Sequence, residues 1–490
     1  MKGNNTRTKK SNSVLSNFLW RFLERCGAQG VTFIVTIVLA RLLDPSVYGT
    51  IALVTVFTTI MQVFVDSGMG NALIQKKDAD DLDFSSVFYF NIVVCSILYF
   101  IMFFSAPFIA TFYEMPELTP VVRVLSLILV ISGVKNVQQA YVSRNMLFKR
   151  FFFSTLGGTI CAAVVGIAMA YMGLGVWALV AQMLCNAAID TTILWITVKW
   201  RPKKMFSLER LKGLFSYGWK LLVSALIDTV YNDLRQLVIG KIYSKEDLAH
   251  YNQGDKFPKL IVTNINTSID SVLLPTMSKA QDDKVAVKNM TRRSIKTSTY
   301  IMMPLMVGLA VCAKPLISLI MTDKWLPCVP FLRIFCFSYA FYPIHTANLN
   351  AIKAMGRSDL FLKLEIVKKV IGIIALLCTM WISPLAMAYS LLVISVLGQI
   401  INSWPNKKLM NYSYLEQLKD MMPQICLSVF MGLIVFCVQF IGLNSLLTLL
   451  IQVPVGATIY IVLSKLFHID SFEYLINTVK GLLHKRKKEV

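Results

Sequence analysis

The chain has 490 residues, 56% of them hydrophobic and only 16% charged, with a mean hydropathy of +0.61 and a formal net charge of +22. Soluble domains carry roughly 25% charged and about 45–50% apolar residues, so a soluble fold is excluded. At about 20 residues per membrane-spanning helix and about 10–15 per connection, the length holds roughly 14 spans and no separate soluble domain.

The segment Met1 to Lys10 is basic and polar, and the first apolar stretch, Val14 to Leu42, is interrupted by Arg21, Glu24 and Arg25. A cleavable signal peptide needs an uninterrupted apolar core, so this stretch predicts a retained first span. Further spans are expected at about 48–69, 85–107, 120–142, 152–171, 176–198, 214–239, 248–277, 297–321, 329–352, 360–380, 384–403, 421–441 and 443–463. The lysines and arginines between these spans fall almost wholly in alternate segments, with only Arg41, Lys241, Lys245 and Lys324 on the opposite side. Basic loops mark the cytoplasmic face, which predicts that both termini are cytoplasmic. The basic excess is then topological, and no nucleic-acid partner is expected. The tail from His484 to Lys488 reads as an orientation signal, with contact to anionic lipid as the alternative. The ten cysteines lie almost all in apolar stretches without a CxxC pair or Cys/His cluster, which predicts buried thiols, no metal and no cofactor.

The chain also repeats itself. LARLLDPSVYG (Leu39 to Gly49) corresponds to IGKIYSKEDLA (Ile239 to Ala249), and Ser105 to Leu125 corresponds to Ala313 to Phe335, pairing Pro107 with Pro315 and Arg123 with Arg333. Gln138 then falls opposite Asn348. Spans one to six recur as seven to twelve. The expected architecture is an all-α polytopic membrane protein with two six-helix lobes, residues 1–200 and 201–405. Two extra C-terminal helices and a basic tail follow at 406–490. An even helix number per unit gives both halves the same orientation, related by an axis along the membrane normal.

Enzyme signatures such as HExxH, GxSxG or a Walker sequence are absent, and the expected outside loops are too short for a catalytic domain. What remains is ion handling inside the membrane. An ionisable residue in a span costs at least about 2.5–3.5 kcal/mol, so it rarely faces lipid. Arg21, Glu24, Arg25 and Gln29 form one polar stripe, and Glu24 can neutralise only one arginine. Asp228, Tyr231, Asn232 and Arg235 share a face in the seventh span. In the eighth, Asp255 and Lys259 are spaced to satisfy each other, which does not account for Lys256. A planar guanidinium suits a phosphate, so Arg21, Arg25, Gln29, Asn232, Arg235 and Lys256 are the expected substrate-binding residues. Asp66, Asp228 and Asp270 have no basic residue four positions away, which marks them as expected ion-coupling acids. Arg123, Lys135 and Arg333 are further cations in spans, Asp190 is a further acid, and His345 reads as a hydrogen-bonded histidine.

The runs LARLLDPSVYG, DSGMGNALIQ (Asp66 to Gln75), YNQGDKFPKL and VLLPTMSK, together with the two-lobe repeat and two added helices, resemble the Wzx-type polysaccharide flippases (O-antigen, colanic or teichuronic acid) of the MOP superfamily. The resemblance implies a V-shaped fold with a cationic central cavity in the bacterial inner (plasma) membrane. It also implies flipping of undecaprenyl-pyrophosphate-linked oligosaccharide to the outer leaflet for surface polysaccharide biosynthesis, with a polysaccharide polymerase and a chain-length regulator as candidate partners. Two alternatives share the scaffold: a cation or drug antiporter, which would want carboxylates where cations predominate here, and a lipid II flippase. A membrane-embedded polymerase or ligase would need an extended outside loop bearing catalytic groups.

Overall fold

The structure is a computed structural model that describes Trp20 and residues 27–66, 69–76 and 78–489, with backbone alone for Tyr217, Val479 and 482–489. Every regular element among the described residues is helical. Within hydrocarbon a helix satisfies each backbone N–H and C=O inside its own segment, whereas an open sheet edge does not.

The contacts divide the chain into two units, Met1–Ala249 and His250–Val490. The first contains α1 (Gly27–Leu42), α2 (Pro45–Asp66), α3 (Met69–Gln75), α4 (Asp81–Tyr113), α5 (Leu118–Leu125), α6 (Leu127–Arg144), α7 (Phe148–Tyr171), α8 (Val176–Thr197) and α9 (Leu208–Ile242). α10 (Lys245–Lys279) begins at the boundary. The second unit continues with α11 (Lys284–Met321), a 3-10 turn, α12 (Val329–Ala340), α13 (Tyr342–Ala354), α14 (Ser358–Thr379), α15 (Pro384–Met410), α16 (Tyr414–Cys437), α17 (Ser445–Leu466) and α18 (Asp470–Glu489). Among the described residues, 10 helical stretches are long and apolar enough to cross a membrane. The other four positions of the expected series are taken by α1, a shorter apolar helix over its described residues, and by α9, α10 and α14, each of which carries several charged residues. α11 begins at Lys284, well before the apolar run expected from 297; its 38 residues exceed what a bilayer core of about 30 Å covers, and the extra turns carry Lys284, Lys288, Arg292 and Arg293.

α9 belongs by contact to the first unit, although the repeat counts it in the second lobe. Leu211 and Leu214 join a core with Phe84, Phe88, Val137, Leu194 and Trp200. Near its other end, Lys241 binds Glu114 at 2.8 Å and the Tyr113 hydroxyl donates to the Leu237 carbonyl at 3.4 Å. Lys245, just beyond, binds Glu117 at 2.9 Å. Two of the few cations expected on the outer side are thus neutralised by acids of the loop between α4 and α5. Gly49 lies against the backbone of Lys245, where a Cβ would overlap the carbonyl. Backbone on backbone cannot yield as a side-chain tip does, so Gly49→Ala is expected to reduce the yield of monodisperse protein in size-exclusion chromatography by several-fold.

The repeat is visible in matching details. Arg123 Nε donates to the Phe103 carbonyl at 3.2 Å, and Arg333 Nε donates to the Ala310 carbonyl at 3.1 Å. Both carbonyls lie a few residues before the repeat-related prolines, Pro107 in α4 and Pro315 in α11, each inside its helix. A helix proline removes one N–H donor, and arginines supply donors to carbonyls in these segments. Arg123 and Arg333 are therefore fastened to backbone within their own units.

At the start of α4, Asp80 accepts from Asp83 N at 3.0 Å while the Asp83 side chain accepts from Asp80 N at 3.2 Å, a reciprocal cap. The Asp83 N–H and the nearby Arg210 hold the Asp80 carboxyl below its usual range. A depressed folded value means the stabilisation is present above the unfolded pKa of about 3.9 and is lost as pH falls through the folded value. Asp80→Asn keeps an N-cap acceptor and loses only the charge. Wild type is expected to unfold at a higher temperature than this variant at pH 6, the gap closing below about pH 4.

Candidate functional site

The side chains selected from sequence are distributed over both units. Arg21 and Arg25 lie outside the described residues. Gln29 is exposed on α1, and Asp228 and Asn232 are exposed on α9, with Arg235 on the same face one to two turns on. Arg235 is only 4% exposed, and its Nε and one terminal nitrogen are buried without a hydrogen-bond partner among the described residues. A buried guanidinium with donors unspent among the described residues is a cationic fork awaiting an acceptor. In the second unit, Lys256 and Asp270 are exposed on α10. Asp255 binds Lys259 at 3.4 Å, as its spacing predicts, and also accepts from the Tyr339 hydroxyl at 2.5 Å.

Asp270 accepts from Asn350 Nδ2 of α13 at 2.8 Å and lines a polar pocket of about 260 Å³ with Asn266, Thr267, Thr346, Asn350 and Lys353. Donors and acceptors of this kind match hydroxyl groups. The first unit holds the counterpart: Asp66, at the end of α2, accepts from Asn136 Nδ2 of α6 at 3.4 Å and from Gln62 Nε2 at 3.0 Å. In each unit an acid of the second repeat helix meets an amide of the fourth.

Sequence reasoning missed two arrangements. Lys135 on α6 and Asp190 on α8, read singly, form an ion pair at 2.6 Å. Asn348, Asn406 and Gln417, all fully buried, share hydrogen bonds of 2.6–3.1 Å at the junction of α13, α15 and α16. Two opposite lone charges in spans of one lobe were the available signal for the first; nothing in spacing reveals the second. His345 bonds to Asn402 through Nδ1 at 2.9 Å, the satisfied histidine expected. The nine described cysteines are free, but Cys161, Cys378, Cys426 and Cys437 are exposed on their helices instead of buried, since an apolar stretch has an outer face in lipid as well as a packed one. Among the described residues no group of three or more His, Cys, Asp and Glu is placed to hold a metal ion.

Residues 38–330 match the family described as "Polysaccharide biosynthesis protein". Teichuronic acid biosynthesis protein TuaB of Bacillus subtilis (strain 168) is 26% identical over 83% of this chain and 86% of its own length. Succinoglycan biosynthesis transport protein ExoT of Rhizobium meliloti (strain 1021) is 22% identical over 72% of this chain and 71% of its own. Among solved structures, lipid II flippase MurJ in an inward closed conformation superposes with a TM-score of 0.72, covering 94% of this chain and 99% of that one at 15% identity, which is a likeness of fold.

Proposed function

Since the chain belongs to the polysaccharide biosynthesis protein family, we propose that this multi-pass membrane protein is a flippase that moves a polyprenyl-pyrophosphate-linked oligosaccharide from the cytoplasmic to the outer leaflet. The observation that carries the reading is Arg235, a buried guanidinium on α9 whose Nε and one terminal nitrogen have no hydrogen-bond partner among the described residues. A pyrophosphate offers paired oxygens to such a fork, with Arg21 and Arg25 adding positive charge and Gln29 and Asn232 hydrogen bonds, and Lys256 of the second unit is proposed as a further substrate-binding cation. The prenyl chain stays in lipid, which matches its chemistry. Asp270 and the amides and hydroxyls of its pocket fit sugar hydroxyls, and Asp66, Asp228 and Asp270 are the acids proposed to couple movement to an ion. The protein itself makes and breaks no covalent bond. The plasma membrane, cytoplasmic termini, and a polymerase and chain-length regulator as partners complete the proposal.

The test is binding by the purified full chain of a farnesyl-pyrophosphate-linked disaccharide, read as a rise in unfolding temperature. Ligand that binds only the folded state stabilises it. A rise with the pyrophosphate-linked sugar and none with free disaccharide or farnesol supports the reading. Equal stabilisation by farnesol alone would overturn the role of phosphate recognition, and stabilisation by organic cations instead would favour the antiporter.

A further inference from the structure

The first unit contains a charged group that substrate binding leaves unused. Lys135 Nζ donates to Asp190 Oδ2 at 2.6 Å; Asp190 is 8% exposed, and its Oδ1 is buried with no hydrogen-bond partner among the described residues. Lys135 precedes Asn136 on α6, and Asn136 and Gln62 hold Asp66 through their amide nitrogens. From α4 the facing groups are Asn91, which donates to Asn136 at 3.4 Å, and the Cys95 thiol, which stands against Gly133 of α6. From α7, Gly158 stands against the Asp190 Cβ and brings no titratable group. Lys135 and Asp190 lie 9 and 7 residues before the ends of α6 and α8, and Asn91 lies 10 residues into α4. At 1.5 Å per residue, these are levels about 10–15 Å inside the helix ends.

Two carboxylates and one ammonium sum to one negative charge, and an uncompensated charge inside a membrane span is costly. One added positive charge makes the group neutral. Among the described residues the side chains bonded to the acids are N–H donors, from Gln62, Asn136 and Lys135, whereas hard metal cations require several oxygen ligands. A proton requires one carboxylate oxygen, and Asp190 Oδ1 is open.

We propose that Asp66, Lys135 and Asp190 form a proton-exchange site in which one ammonium serves two carboxylates in turn. With Lys135 on Asp190, the proton resides on Asp66; with the proton on Asp190, Lys135 is released toward Asp66. Only an O–H bond forms and breaks, the proton arriving from water and returning to it. The exchange shifts the attraction of α6 between α8 and α2, two arrangements that a bound proton weights differently. Its use as the drive for flipping rests on the proposed function, but the proton chemistry does not.

The experiment takes the full chain in lipid nanodiscs without substrate and records infrared difference spectra as pH is stepped. Wild type is expected to show a protonated-carboxyl band that grows as pH falls, and D66N/D190N is expected to lose it. K135M is expected to move the band to higher pH by about 1–3 units, the influence of an adjacent opposite charge on a carboxyl. Should D66N/D190N fail to fold because Lys135 lacks a counter-charge, the neutral D66N/K135M/D190N variant reads the same loss. A band unchanged in these variants overturns the proposal, as does one that responds to sodium at fixed pH. Because no substrate is present, this failure is separate from failure of the flippase reading, which the disaccharide-binding measurement reports.

Discussion

Replacing Arg235 by glutamine is expected to lower polysaccharide export by about one to two orders of magnitude while leaving the protein folded. Each charge-assisted hydrogen bond to phosphate contributes about 1.5–3 kcal/mol, and about 1.4 kcal/mol is a factor of ten. Most buried arginines cannot be removed without orphaning a partner. Here Nε and a terminal nitrogen have no hydrogen-bond partner among the described residues, so the substitution orphans no acceptor of theirs there, and the unfolding temperature should hold or rise. Lysine should restore export only in part because it lacks the planar fork. Arg21→Gln and Arg25→Gln should act in the same direction. The measurements are surface polysaccharide in a strain dependent on the introduced gene, and thermal unfolding of each purified variant. Unaltered export in the triple neutral variant, or unfolding of Arg235→Gln, would remove Arg235 from the site.

Asp83→Ala is expected to show the opposite profile, a loss of folded protein from a position away from the proposed substrate contacts. The Asp83 carboxylate is fully buried at the start of α4, receives Lys76 Nζ at 2.6 and 2.7 Å, and accepts from Asp80 N in the reciprocal cap. Arg210 lies 3.7 Å away and links the start of α9 to the same carboxylate. The lost charged hydrogen bonds are worth about 1.5–3 kcal/mol and the cap about 0.5–2 kcal/mol. A fall in unfolding temperature of many degrees follows, with export reduced only in proportion to the protein present. If Asp83→Ala were as stable as wild type but inactive, this cluster would be a ligand site and not a clamp on the helix ends.

The helices were legible in the sequence because membrane insertion demands long apolar runs, and the repeat was legible because Pro107 and Arg123 recur as Pro315 and Arg333. What Arg123 and Arg333 do was not legible. As cations in spans they were read only as charges that rarely face lipid, whereas each reaches a carbonyl of the preceding long helix in its own unit. Intrahelical partners follow from spacing alone, as Asp255 and Lys259 illustrate. Partners on different helices do not: Lys135 and Asp190 meet because α6 packs on α8. Asp66 and Asp270 looked equivalent in sequence, and the structure gives each an amide from the fourth repeat helix of its unit. Arg235 was identifiable as a charge on a polar face, but that two of its buried nitrogens find no acceptor among the described residues is a property of packing that no spacing rule contains.

The most direct test of the central claim is movement of lipid-linked sugar by the protein alone. Full-length chain is reconstituted into liposomes carrying a fluorescent undecaprenyl-pyrophosphate-linked oligosaccharide, and the fraction reached by an added glycosidase is followed with time. Wild type should make the inner-leaflet pool accessible, and Arg235→Gln at equal reconstitution should slow this by at least about tenfold. An inner-leaflet pool that stays protected with wild-type protein, while an organic cation exchanges across the same vesicles, would contradict the account.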